Sequence, residues 1–215
     1  MRTEQLIEQL ASELRPVRVL PAPAWRALLW LAIMAAAAGT LVLLFAHLDA
    51  VLPRLRTPRV AVESVATALT AVTAVIAAFE LSIPDRSPRW AWLPLPFLAL
   101  WLGASGLGCL RNGWSLHTAQ GLAGESPHCF LFITAASVPL ALALFAMLRR
   151  ARPIDPLPVA MLGALGVAAS AAFVLQFFHP FDVTVIDLAL HLAAIALVVS
   201  IGTTWRRALL DADAA

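Results

Sequence analysis

The sequence predicts an all-α, polytopic membrane protein, built as a bundle of six transmembrane helices preceded by a short cytoplasmic amphipathic helix. Hydrophobic residues make up 61% of the 215 residues and charged residues 13%, whereas a soluble domain has about 45–50% and about 25%. The mean hydropathy is +0.84, and a soluble domain of this length is too small to bury so much apolar surface. The apolar residues also gather into six stretches of the length that crosses a bilayer, about 20 residues.

The six predicted spans are separated by short polar or proline-containing segments. They cover residues 27–46, 60–83, 90–110, 126–148, 156–178 and 183–205. This pattern divides the chain into a cytoplasmic partner-binding segment (1–24), a six-helix transmembrane domain (25–207) and a cytoplasmic tail (208–215). Small residues four positions apart predict close helix contacts, and these pairs are Ala35 with Gly39, Ala104 with Gly108, and Gly166 with Ser170.

The distribution of arginine predicts which side of the membrane each loop occupies. All fifteen basic residues are arginine. With six spans, eleven of them fall on the side of the two termini and four on the opposite side. Because positive charge is enriched in cytoplasmic loops, we expect a multi-pass protein of the bacterial inner membrane with both termini in the cytoplasm. The arginines lie between spans rather than in one patch, so we expect contact with the lipid bilayer but no direct nucleic-acid binding.

The N-terminal segment predicts a short amphipathic helix that ends before Pro16. Its apolar residues recur at helical spacing and are Leu6, Ile7, Leu10 and Leu14. Glutamates on the other face do not suit an anionic bilayer surface, and an isolated helix of this length is marginally stable in water. The stripe therefore needs a partner, which is either another protein or the inner rim of its own bundle.

All five histidines and both cysteines fall on the predicted outer half of the chain. They are His47, Cys109, His117, His128, Cys129, His179 and His191. Three interpretations of the cysteines stay open: a structural disulfide between Cys109 and Cys129, a redox-sensitive or metal-binding thiol, and inert packing. Cys129 is the preferred sensor thiol, because a helix N-terminus and a neighbouring cation both lower the pKa of a thiol.

A metal site is a second interpretation of the histidines and cysteines on the predicted outer half of the chain. Asp187 and His191 are four residues apart and share one helix face, so the carboxylate can orient the imidazole beside a metal, or the two groups can satisfy each other's polarity. The candidate ligands of a transition metal ion at the outer face are His128, His179, His191 and Asp187. The sequence requires no cofactor.

Three motifs that are typical of enzymes are absent from the sequence. It lacks H-E-x-x-H, G-x-S-x-G and C-x-x-C, which mark metalloproteases, hydrolases and thiol oxidoreductases. We therefore expect no enzymatic activity. The alternative is a membrane thiol oxidoreductase, or another six-helix protein that handles redox equivalents or metals.

Three segments carry a resemblance to a known family. They are Leu14-Arg15-Pro16-Val17, Gly124-Glu125-Ser126-Pro127-His128-Cys129-Phe130 and Phe178-His179-Pro180-Phe181-Asp182. With the six spans, they resemble the NrsF family of integral membrane anti-sigma factors. The resemblance implies that the chain holds an extracytoplasmic-function sigma factor inactive at the inner membrane. The outer cysteines and histidines add the hypothesis that oxidant or metal stress releases it. In the family a second cysteine often precedes a proline before the last helix, and in this chain His179 stands there. Either Cys109 would substitute for the missing thiol, or Cys129 and His179 would act together with a metal ion.

Overall fold

The computed structural model describes residues 3–12, 19–46, 48–112, 126–178 and 185–204. Within these ranges the chain is predominantly helical and contains no strand, which confirms the predicted all-α class. The helices are α1 (Thr3–Ser12), α2 (Pro23–Phe45), α3 (Leu48–Leu55), α4 (Pro58–Leu81), α5 (Leu95–Asn112), α6 (Ser126–Leu148), α7 (Pro156–Leu175) and α8 (Val185–Thr204). Two short 3-10 helices, Pro88–Trp92 and Arg149–Ala151, precede α5 and follow α6.

Five stretches of the described chain are long and apolar enough to cross a membrane. They are Pro23–Phe45, Pro58–Leu81, Pro88–Leu107, Phe130–Ala151 and Pro156–Leu175. The sixth predicted span corresponds to α8, whose apolar portion Leu188–Thr204 is shorter than the other five. Five spans thus follow from length and composition, and the count of six stays a prediction.

Helices α4 and α7 form the centre of the bundle, and their small residues allow them to approach closely. A Cβ atom added at Gly166 would lie 2.6 Å from Val75 Cγ2 and 3.1 Å from the Val75 backbone nitrogen. Four residues later, the fully buried Ser170 donates a hydrogen bond to the Gly166 carbonyl at 2.8 Å. The predicted close contact is confirmed for Gly166 but is wrong for Gly39, where an added Cβ would meet nothing within 4 Å.

Helix α3 is an element that the sequence analysis missed. It lies between the first two spans and carries apolar residues at helical spacing, with Val51 buried and Leu52 exposed. Its short length and the internal Pro53 make it look like a loop, because proline is rare inside helices. The apolar spacing from Leu48 to Leu55 was the available signal.

The long helices run in alternating directions, so the bundle has two ends. The Arg26 end contains the start of α2 and the C-terminal turns of α4 and α6. The Glu63 end contains the first turns of α4 and the C-terminal parts of α5 and α7. The distribution of arginine predicts that the Arg26 end faces the cytoplasm and the Glu63 end faces the opposite side, and this orientation stays a prediction.

Candidate functional site

A buried arginine holds three helices together at the Arg26 end. Arg26 lies in the first turn of α2, and only 5% of its surface is exposed. Its guanidinium donates a hydrogen bond to the Met147 carbonyl of α6 and another, at 3.5 Å, to the Ser82 hydroxyl. Its Cζ atom lies 5.0 Å from the centre of the Phe79 ring. The start of α2 is therefore fastened to the ends of both α4 and α6.

The chemistry of helix ends explains why an arginine occupies this place. The last four carbonyls of an α-helix have no partner within the helix, and that end carries a partial negative charge. The guanidinium has five donors in a planar fork, so it can reach Met147 and Ser82 together. The aromatic face of Phe79, which is fully buried, attracts the cation further.

The sequence analysis includes Arg26 only as one of the eleven arginines on the side of the two termini. Its contacts are between residues far apart in the chain, so no local pattern contains them. The available signal was its position, directly before the uncharged run of the first span. An arginine there has apolar neighbours on both sides and needs a partner.

A second ionic contact lies at the same end. Arg86 Nε lies 3.1 Å from Glu80 Oε2, with the arginine side chain 46% exposed and the glutamate side chain 8% exposed. Of the two arginines that follow α4 in the chain, Arg86 and Arg89, it is Arg86 that contacts Glu80. The contact is an ion pair without an aligned hydrogen bond, since Glu80 Oε2 has no hydrogen-bond partner within the described residues.

At the Glu63 end, the Glu63 carboxylate and several neutral polar side chains connect α4, α5 and α7. Ser105 of α5 donates a hydrogen bond to Glu63 Oε1 at 2.8 Å. Thr67 donates to the Glu63 carbonyl at 2.7 Å and accepts from Gln176 Nε2 at 3.3 Å. The Ser64 hydroxyl is buried with no hydrogen-bond partner among the described residues. We call these five side chains the Glu63 cluster: Glu63, Ser64, Thr67, Ser105 and Gln176. None of them is among the candidate site residues of the sequence analysis.

Most of the predicted sensor residues have helix positions but no described side chains. Cys109 lies near the end of α5, His128 and Cys129 in the first turn of α6, and Asp187 in the first turn of α8. These turns belong to the Glu63 end, and what their side chains contact lies outside the described residues. His179 also lies outside them, whereas His191 is a half-buried residue of α8.

The metal prediction is not tested by these positions. Within the described residues, no three histidine, cysteine, aspartate or glutamate side chains come together in a group that could hold a metal ion. Three of the four candidate ligands have side chains outside that description, so the metal site stays a prediction.

The predicted N-terminal helix is present as α1, Thr3–Ser12. Ile7 is 62% exposed, and α1 does not pack extensively against any other described helix. The side chains of Leu6 and Leu10, and all of Leu14, lie outside the described residues. The role of this stripe in binding therefore stays a prediction.

A comparison with protein-family models places these features in a known group. The NrsF family, described as negative regulator of sigma F, matches residues 10–211, which include both ends of the bundle. Comparisons with curated proteins and with solved structures gave no match. Because the family match covers nearly the whole chain, the protein belongs to the NrsF family, is a negative regulator of a sigma factor, and has a sigma factor as its partner.

Proposed function

We propose that this chain captures an extracytoplasmic-function sigma factor at the cytoplasmic face of the bacterial inner membrane. Oxidant or metal stress at the Glu63 end would then release the sigma factor from the Arg26 end. The observation that carries the proposal is that one helix, α4, contributes to both ends. It presents Glu63 and Thr67 at one end and Phe79 and Ser82 at the other.

The capture surface in this proposal is the apolar stripe of α1. Ile7 is exposed, and the nearby Glu4 and Glu8 are exposed as well. Among the described residues α1 does not pack extensively on its own bundle, and such an amphipathic helix suits a groove on a partner protein. Val19 and Leu20, which precede α2, and Trp25, in the first turn of α2, are also exposed apolar residues close to Arg26 in the chain.

In this proposal the signal passes between the two ends along α4, a rigid helix that packs against its neighbours. Nineteen residues separate Glu63 from Ser82, which is about 28 Å along an α-helix. Gly166 holds α7 against the middle of α4, so a displacement of α4 is shared with α7. At the far end, a shift of α4 relative to α6 separates Ser82 from the Met147 carbonyl, and Arg26 cannot then reach both. The start of α2, which carries the link to α1, is released.

The energy required lies within reach of one chemical event. Moving a two-state equilibrium from 1:99 to 99:1 requires about 5.5 kcal/mol. A bound metal ion can supply this amount, whereas a disulfide contributes about 2–4 kcal/mol and would shift the equilibrium by a smaller factor. In the disulfide form of the proposal, Cys109 and Cys129 lose two protons and two electrons to the oxidant and form one S–S bond.

The capture step is tested by placing charges on the stripe. The Leu10→Asp/Leu14→Asp variant of the full chain should reach the membrane, because no span is changed, but should lose the sigma factor in a pull-down from mildly solubilised membranes. The control, Gln5→Asp/Ser12→Asp, adds the same charge on the opposite face of α1 and should retain capture. Undiminished capture by the first variant would move the binding surface to the loops of the Arg26 end.

The sensing step is tested with the cysteines. Cys129→Ser should keep sigma-factor binding but abolish the transcriptional response to an oxidant or a thiol-binding metal. Cys109→Ser should have the same effect if the two cysteines form a disulfide. A weaker effect is expected if Cys129 acts with His179 and His191 on a metal. A full response in the Cys129→Ser strain would leave this thiol with a packing role only.

The orientation is tested with a membrane-impermeant thiol reagent. Applied to intact spheroplasts, it should label reduced Cys109 or Cys129. Labelling that appears only after the inner membrane is permeabilised would reverse the assignment of the two ends.

A further inference from the structure

A half-open apolar groove runs along the bundle between α6, α7 and α8. Its volume is about 160 Å³, and its lining is almost wholly apolar, including Leu144, Leu148, Val167 and Val198. Gly163 and Gly202 also line it, and the helices approach closely there, because a Cβ atom added at Gly202 would lie 2.7 Å from Ala164 Cβ. Apolar cavities of this order stay dry and bind apolar ligands.

The groove opens toward the surface that faces the membrane. Val138 and Ile201 line it and are 54% and 44% exposed. The three helices that form it include two stretches long enough to cross a membrane and the apolar α8. An occupant must therefore be compatible with hydrocarbon rather than with water.

The groove is long enough for one acyl chain of a lipid. On α6 its lining extends from Thr134 to Leu148, and fourteen residues of α-helix rise about 21 Å. Half of a hydrocarbon core of about 30 Å is about 15 Å, so the groove accommodates the whole length of a chain that enters from the leaflet at the Arg26 end.

Two exposed arginines follow the helix end that lines the groove. Arg149 and Arg150 come directly after the groove-lining residue Leu148, in the 3-10 helix Arg149–Ala151. Among the described residues, no carboxylate forms an ion pair with either of them. The acidic residue of the same loop, Asp155, accepts a hydrogen bond from the Leu157 N–H at the start of α7. Guanidinium groups bind phosphate strongly, and basic sites beside transmembrane helices bind anionic headgroups.

We infer that this groove is a binding site for an anionic phospholipid. One acyl chain lies between α6, α7 and α8, and the headgroup phosphate contacts Arg149 and Arg150. Helix α1 is a poor occupant, because its glutamates would face the hydrocarbon. A second copy of the chain would have to insert its own side chains into a groove that narrows around Gly163 and Gly202. The inference is independent of the proposed capture and sensing steps.

The test compares two lipids that differ only in the headgroup. The full chain is purified in a mild detergent, stripped of lipid and titrated with phosphatidylglycerol or phosphatidylcholine carrying the same acyl chains. Native mass spectrometry measures the bound lipid, and thermal unfolding measures its effect on Tm. We expect phosphatidylglycerol to bind about tenfold more tightly and to raise Tm more.

Two variants separate the headgroup contact from the acyl contact. Arg149→Gln/Arg150→Gln should abolish the preference for phosphatidylglycerol, whereas Arg89→Gln, an exposed arginine of another loop, should preserve it. Ile201→Trp, which fills the exposed edge of the groove, should weaken the binding of both lipids. Leu197→Trp changes an exposed residue of α8 outside the groove and should leave the binding of both lipids unchanged.

Several results would overturn the inference. Equal binding of the two lipids by the unaltered chain would reduce the groove to ordinary contact with bulk lipid. An equal loss in Arg89→Gln would assign the preference to net charge alone. A dimer of the unaltered chain that Ile201→Trp dissociates would make the groove a contact between two copies.

Discussion

The two ends of the bundle are held together by different kinds of interaction. At the Arg26 end, a buried cation reaches a helix carbonyl, a hydroxyl and an aromatic ring, and a second arginine pairs with Glu80. At the Glu63 end, a half-buried carboxylate accepts from Ser105, and the remaining contacts join neutral groups, with Ser64 lacking a partner among the described residues.

The difference indicates which end holds its arrangement more firmly. Hydrogen bonds that involve a charged group contribute about 1.5–3 kcal/mol, and neutral ones about 1 kcal/mol. Arg26 combines several such contacts on α4 and α6, whereas the Glu63 cluster is a chain of single contacts. An end held by single contacts rearranges at lower cost, which suits the place where the proposal puts the stimulus. The Arg26 end suits a release with two states, because α2 is either held by the contacts of Arg26 on both α4 and α6 or freed when they are lost.

The largest expected effect removes the connection between the ends. Gly166→Leu would place side-chain atoms against the Val75 backbone, which cannot move aside, and overpacking of this kind costs about 3 kcal/mol, the upper end of the usual range. We expect a strongly lowered Tm in detergent and loss of sigma-factor capture. Gly39→Leu, at a position with open space, is the control and should unfold like the unaltered chain. Equal stability of the two variants would contradict the central role of the α4–α7 contact.

The next effect concerns the Arg26 end alone. Arg26→Gln removes the cation from Met147, Ser82 and Phe79, and we expect a loss of about 2–3 kcal/mol, or roughly 5–10 °C in Tm. Arg26→Lys keeps the charge but not the planar guanidinium group, so its Tm should lie between that of the unaltered chain and that of Arg26→Gln. Sigma-factor retention should follow the same order. Normal Tm and normal retention in Arg26→Gln would show that α2 is held by its apolar contacts.

A smaller effect is expected at the Glu63 end. Ser105→Ala removes the donor to Glu63 Oε1, and Glu63→Gln removes the charge that strengthens that bond. Each should lower the free energy of unfolding by about 1–2 kcal/mol while sigma-factor capture persists. Their signature should be a lower dose of oxidant or metal needed for release. An unchanged dose response in both variants would exclude the Glu63 cluster from the route of the signal.

The smallest effect tests the ion pair between Arg86 and the buried Glu80 carboxylate at the Arg26 end. Because Arg86 is 46% exposed, water can solvate its guanidinium, and ion pairs screened by solvent contribute about 1 kcal/mol or less. Arg86→Gln should therefore lower Tm by a few degrees at most, with high salt reducing the difference. Arg89→Gln is the neighbouring control. A loss as large as that of Arg26→Gln would show that the Glu80 carboxylate depends fully on Arg86.

The predicted helices and their order agree closely with the structure, because apolar length is a local property of the chain. The third span is the instructive case. The predicted stretch 90–110 divides into a 3-10 helix, Pro88–Trp92, and α5, which begins at Leu95. Pro94 and Pro96 account for the break, since proline is unfavourable in a helix interior. Pro139, by contrast, lies inside an unbroken α6.

The sequence by itself determined that this chain crosses a membrane repeatedly, begins with an amphipathic helix and resembles the NrsF family. These properties depend on composition and on spacing within about 20 residues. Only the tertiary structure decided that Gly166 contacts α4 and Gly39 does not, that Arg26 reaches Met147 across 121 positions, and that Ser105 meets Glu63. The physical reason is that apolar transfer acts on each segment separately, whereas hydrogen bonds and close packing require particular atoms of distant segments to meet.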